Sequence, residues 1–169
     1  LETSISQKKM YSLFSNAQEF KENDYDSETD EEFLIKFDEE LNFKKDVNGV
    51  DLCFLLDCTG SMNPYFKGIK LFIRKTIRDA RRCMTQYSFS SDDMLRVSLV
   101  CYRDHPPQGK SGDLFTIPFT HAIDDFKKVL KGINAVGGGD DAEAVIDGLD
   151  EVVNNLTWRE DSEKFVFHI

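Results

Sequence analysis

The run Val50-Asp51-Leu52-Cys53-Phe54-Leu55-Leu56 is apolar at every position but one, and Asp57 stops it at once. A strand with one face in water alternates apolar and polar residues. This one does not alternate, so both of its faces must be covered, as in a central strand of a parallel sheet. Asn48-Gly49 on one side and the loop from Asp57 on the other bound the strand.

The chain beyond Asp57 fits a sheet wound on both sides. Asn63-Pro64 reads as the start of a helix, with Asn63 as N-cap and Pro64 at the first helical position. Phe66, Ile69, Ile73 and Ile77 recur on its apolar face, while Lys67, Lys70, Arg74, Lys75, Arg78, Arg81 and Arg82 give it a solvated basic stripe. Met94–Tyr102 predicts a second strand. Leu114–Phe119 predicts a short one, placed at a sheet edge by Pro118, which has no N–H to pair. Two helices come next. Asp124–Asn134 carries Phe126, Val129, Leu130 and Ile133 inward, and Ala142–Leu156 carries Ala144, Val145, Leu149, Val152, Val153 and Leu156. Lys164–Ile169 is a last buried strand. The order β-α-β-β-α-α-β predicts an α/β fold with a doubly wound, mostly parallel sheet. Ligands of such sheets bind beyond the C-terminal ends of the strands, where Asp57 stands.

Asp57, Thr59 and Ser61 lie at alternate positions of the loop that leaves this strand. In extended backbone, alternate side chains face the same way, so one carboxylate and two hydroxyls converge. These are hard oxygen donors, suited to Mg²⁺ or Mn²⁺ and poor for soft metals. Mg²⁺ keeps waters in its shell, and a carboxylate from another protein can replace one of them.

Asp57-Cys58-Thr59-Gly60-Ser61-Met62 resembles the metal ion-dependent adhesion motif of von Willebrand factor type A domains, in its DxTGS form. Gly137-Gly138-Gly139-Asp140-Asp141-Ala142-Glu143-Ala144 resembles the glycine-rich loop that supplies a further ligand in that family. The resemblance covers about 50–169 and implies a Rossmann-like fold with Mg²⁺ on Asp57, Thr59, Ser61 and Asp140. Many members have threonine where Asp140 stands, so this site would be more negative. Asp104 and Asp141 are candidate second-layer contributors or further ligands, the alternatives being a helix cap or loop hydrogen bond for Asp104 and a helix cap for Asp141. Tyr102-Arg103-Asp104-His105, the glycine-rich loop and Leu156-Thr157-Trp158 look most like the A domains linked to alpha-kinases. The family's final aspartate comes after the strand that Lys164–Ile169 resembles. The resemblance therefore implies a fragment, with a sheet truncated after its fourth strand and an exposed edge.

Residues 1–48 read differently. Between Glu22 and Glu40 they carry ten acidic side chains, and apolar residues are sparse before Phe33. This predicts an acidic N-terminal segment, disordered through about Asp30 or holding a short helix near Tyr11–Phe20. Phe33, Phe37 and Leu41 share one helical face in Glu31–Phe43. The segment is a solvated linker or a partner-binding tail with aromatic anchors, and residues 49–169 are the folded domain.

The net charge of −10 argues against nucleic acid as a partner. No run of about 20 apolar residues exists to span a membrane, and no signal peptide is visible. Cys53, Cys58, Cys83 and Cys101 form no CxxC pair, which fits reduced thiols and a cytoplasmic location. Rival chemistries fail on spacing. A haloacid dehalogenase-type phosphatase needs an acid where Thr59 stands, and a tyrosine-phosphatase loop needs arginine where Pro64 stands. No P-loop is present, the three histidines lack ligand spacing, and the sequon at Asn155 lies at a predicted helix end. The reading is a non-enzymatic, Mg²⁺-dependent protein-binding module whose partner presents Asp or Glu. The alternatives are the regulatory part of an alpha-kinase-type protein serine/threonine kinase with its catalytic domain elsewhere, and a metal-free interaction domain.

Overall fold

The computed structural model describes residues 8–12, 49–86, 91–103, 114–137 and 144–169. They form five strands, β1 (Lys8–Ser12), β2 (Val50–Asp57), β3 (Leu95–Tyr102), β4 (Leu114–Thr120) and β5 (Glu163–His168). The helices are α1 (Phe66–Gln86), α2 (Ser91–Met94), α3 (Ile123–Gly132) and α4 (Val145–Asp150). The strands make one sheet in the order β1-β5-β2-β3-β4, parallel except for β4. The fold is thus α/β with a mostly parallel sheet, consistent with a Rossmann-like von Willebrand A fold.

β2 sits in the centre, and all eight of its residues are buried. Its period of two divides the core. Leu52, Phe54 and Leu56 face α1 and α3, while Cys53 and Leu55 join Val100, Val152, Leu156 and Val166 on the α4 side. On the first face Phe54 stacks on Phe167 at 5.3 Å and meets Phe126 at 6.4 Å. The helix α1 adds Phe66, Ile69, Ile73, Ile77, Ala80 and Met84 there. Each such large side chain contributes about 1.5–3 kcal/mol on full burial, so the sheet's two covers dominate its stability. All four cysteines are buried and outside any disulfide.

Several expectations need correction. Lys8–Ser12 is a strand, not disordered or helical, and it pairs in parallel with β5 from Lys8↔Lys164 to Ser12↔His168. The sheet therefore does not end on a bare fourth strand. The rest of the expected acidic segment lies outside the described residues. Asn63 is not an N-cap. A 3-10 turn already runs over Gly60–Tyr65, because the Met62 amide reaches back to the Thr59 carbonyl (3.1 Å), and α1 starts only at Phe66. Val129 and Val153 are more than 40% exposed instead of inward. For Val153 the reason is a π-helical turn over Glu151–Asn155, closed by Leu156 N–H on the Glu151 carbonyl at 3.0 Å. The Trp158 indole N–H takes the Val152 carbonyl at 2.7 Å, and the wide turn shifts the helical register.

β4 is an edge strand, as Pro118 requires. The β3–β4 register slips between the Val97 and Leu99 pairs, opposite the stretch that holds Pro118.

Candidate metal centre

Asp57 is the last residue of β2 and lies at the C-terminal edge of the sheet. Its amide donates to the Ile169 carbonyl (2.9 Å), and the next amide, Cys58, donates to the Tyr102 carbonyl (2.9 Å). The chain is therefore held by both neighbouring strands up to the point where it turns. Asp57 Oδ1 then accepts the Thr59 amide at 2.8 Å. This bond closes a tight turn over residues 57–59. Thr59 Oγ1 and Ser61 Oγ are 3.0 Å apart. Asp57 and Thr59 are 5% and 2% exposed, whereas Ser61 is at the surface. The three predicted oxygens thus share one short loop, graded from buried to open.

A second loop is docked on the first. The Gly60 amide donates to the Gly137 carbonyl (3.0 Å), and the Val136 amide donates to the Cys58 carbonyl (3.0 Å). The approach is close enough to require glycine, since a Cβ on Gly60 would stand 2.4 Å from the Gly137 oxygen. Gly137 itself has φ of 92°, a region glycine enters readily. Beyond the glycines, the Ala144 amide donates to the Arg103 carbonyl (2.8 Å) at the end of β3. Both flanks of the glycine-rich loop are thereby tied to strand ends beside Asp57. Asp140 and Asp141 within that loop, and Asp104 after Arg103, lie outside the described residues.

Among the described residues no group of three or more His, Cys, Asp and Glu side chains is gathered for a metal. Cys58 and Cys101 are hydrogen-bonded neighbours. The hydrogen bond that the Cys101 S–H makes to Cys58 and burial push the Cys101 thiol far up, so it stays protonated. What the loop offers is one carboxylate and two hydroxyls, a donor set that fits a hard divalent cation and not zinc or copper.

Two features escaped the sequence reading. His168, at the end of β5, hydrogen-bonds the Tyr102 hydroxyl through Nε2 at 3.0 Å. Burial pushes its pKa down, and the negative charge of Asp57 pulls it partly back. The other is Asp51, at the opposite end of β2 and fully buried. It receives Arg96 (2.9 and 2.7 Å), Arg159 (backbone 3.1 Å, side chain 3.0 and 2.6 Å) and the Ser162 hydroxyl (3.0 Å). A lone aspartate inside an apolar run was the available signal for that cluster.

Fold and loop together define an α/β domain with an oxygen-donor loop at the sheet's C-terminal edge. No protein-family profile matches the chain. It is 33% identical over 120 residues to "Alpha-protein kinase vwkA" of Dictyostelium discoideum, a match covering 71% of this chain and 18% of that protein. The chain therefore corresponds to under a fifth of its relative's length.

Proposed function

We propose that the chain carries a von Willebrand A-like module that binds another protein through Mg²⁺ or Mn²⁺. Asp57, Thr59 and Ser61 hold the cation, Asp140 adds a ligand from the glycine-rich loop, and a partner Asp or Glu completes the shell. The observation that supports this most is the docking of the two loops, Gly60 on Gly137, around the Asp57–Thr59–Ser61 turn. When bound, the cation supplies a positive site for an oxyanion. The chain's part is to fix the carboxylate and the two hydroxyls before the partner arrives.

Binding rather than turnover is the role proposed for this chain, and four buried cysteines outside any disulfide are in keeping with a cytoplasmic setting. Among the described residues no helix is long and apolar enough to cross a membrane. The similarity to a protein named as an alpha-kinase favours a second, compatible reading, in which the module serves a protein serine/threonine kinase. Calorimetric titration with Mg²⁺ tests the metal claim. The intact chain should bind, and Asp57→Ala should lose at least tenfold in affinity, about 1.4 kcal/mol. Equal binding by the two proteins would overturn it.

A further inference from the structure

The outward face of α1 carries charge of one sign. Seven of the chain's 21 Lys and Arg lie on this helix, against one of its 31 Asp and Glu. That one acid, Asp79, is buried. Lys67, Leu71, Lys75, Arg78 and Arg82 follow one another three or four residues apart. They therefore form a single stripe, opposite the buried Ile69, Ile73, Ile77 and Ala80. Lys67, Arg78 and Arg82 are exposed, and Leu71 keeps 41% of its surface open in the middle of the stripe.

A helix face that is only solvated does not need this pattern. Like charges four residues apart on a helix repel, and Lys70, Arg74, Arg78 and Arg82 make three such steps in a row. The repulsion is felt at Lys70, whose ammonium pKa is pushed down by burial first and by the charge of Arg74 next. Elsewhere the same chain neutralises its exposed cations. On α3, Asp124 meets Lys127 at 3.2 Å and Asp125 meets Lys128 at 2.7 Å. On α1 the single acid is withdrawn into the interior, where it approaches Arg78 at 3.6 Å. An unbalanced positive face with an open leucine calls for negative charge and apolar contact from outside the helix.

We propose that this stripe docks an acidic, extended segment of another protein, with one aliphatic side chain among its acids to cover Leu71. The dimensions agree. Lys67 to Arg82 spans about 22 Å at 1.5 Å per residue, which about seven residues of extended chain cover. Acids at alternate positions of such a chain recur about every 6.6 Å on one side, close to the steps of roughly 5–6 Å along the stripe. A single polypeptide is favoured over a membrane or a nucleic acid duplex. The stripe is narrow and the chain's net charge is −10, so a broad anionic surface meets repulsion from the rest of the molecule. A narrow segment meets the cations of α1 alone. The surface does not depend on the cation at Asp57, since α1 starts after the turn that holds Ser61 and none of the stripe's residues is a proposed ligand.

Fluorescence anisotropy on the intact chain tests this. The probe is a labelled peptide of glutamates with one central leucine, long enough to span about ten extended residues, in EDTA so that no divalent cation contributes. It should bind at about 50 mM salt and weaken at least about tenfold by about 200 mM, because exposed charges are screened. The double substitution Arg78→Glu, Arg82→Glu should weaken binding at least about tenfold with circular dichroism unchanged. Lys127→Glu, Lys128→Glu makes the same change of net charge on α3 and should leave binding within about twofold. Asp57→Ala should also leave it intact, which keeps this test apart from that of the cation. No binding at low salt would overturn the proposal, as would equal losses from the two charge reversals. Tighter binding to phosphatidylserine vesicles or to a DNA duplex, lost with Arg78→Glu, Arg82→Glu, would overturn it too, by giving the face to another class of partner.

Discussion

Replacing Asp51 by asparagine removes the charge on which two arginines converge and leaves the shape in place. Asp51 is wholly buried, while Arg96 and Arg159 keep 15% and 22% of their side-chain surface. Breaking a buried pair costs about 3–5 kcal/mol, because the surviving charge is left unpaired. Water still reaches both guanidiniums here, so the lower end, about 3 kcal/mol, applies. That is a large part of a domain's usual 5–15 kcal/mol. With a urea dependence of about 2 kcal/mol per molar, the midpoint should fall by roughly 1.5 M. The substitution also has a pH signature. Burial by itself raises the Asp51 carboxyl, but the hydrogen bonds from Arg96 and then Arg159 outweigh it and hold the pKa below its ordinary 3.8. A depressed carboxyl pKa gives stability that is complete above 3.8 and is lost as pH falls through the folded value. The gap between the native chain and Asp51→Asn should therefore be constant from pH 5 to 7 and narrow below about pH 4. A midpoint shift under 0.3 M, about 0.6 kcal/mol, or a gap that widens in acid, would refute the reasoning.

Two other substitutions probe the opposite end of the strand. Gly60→Ala puts a methyl group where the Gly137 oxygen stands, 2.4 Å away. It should weaken Mg²⁺ binding at least tenfold in calorimetry, while circular dichroism of the sheet stays unchanged. His168→Phe should flatten the pH dependence of stability between about 6.5 and the lower folded value. Burial depresses the histidine pKa, so its neutral form contributes stability above 6.5 that is lost as pH falls through the folded value. Urea midpoints measured across that interval check the point.

The central strand and its helices were legible because each is a local pattern. The apolar run of β2, broken only by Asp51, the isoleucine spacing of α1 and Pro118 in β4 each carry their own meaning. Non-local pairings were not legible. The strand β1 is a short stretch, KKMYS, whose partner lies over 150 residues away, and no alternation announces it. Asp51 finds its partners 45 and 108 residues later. The π-turn that turns Val153 outward depends on Trp158 taking the Val152 carbonyl, a contact that helical periodicity cannot report. At the site, Asp57, Thr59 and Ser61 could be picked out by their spacing after the strand, but the 3-10 turn from Gly60 that holds Ser61 Oγ 3.0 Å from Thr59 Oγ1 could not. The docking of Gly60 on Gly137 could not, because it depends on two loops meeting over the sheet edge.

An acidic chain with a net charge of −10 attracts cations loosely wherever carboxylates gather, above all between Glu22 and Glu40. Paramagnetic broadening by substoichiometric Mn²⁺, mapped on the amide resonances, separates such loose attraction from a built site. For a site on the Asp57 loop, broadening should centre on residues 57–61, Val136, Gly137 and Ala144, be displaced by Mg²⁺, and disappear in Asp57→Ala. Broadening that spreads over the acidic residues 22–46 and survives Asp57→Ala would contradict it.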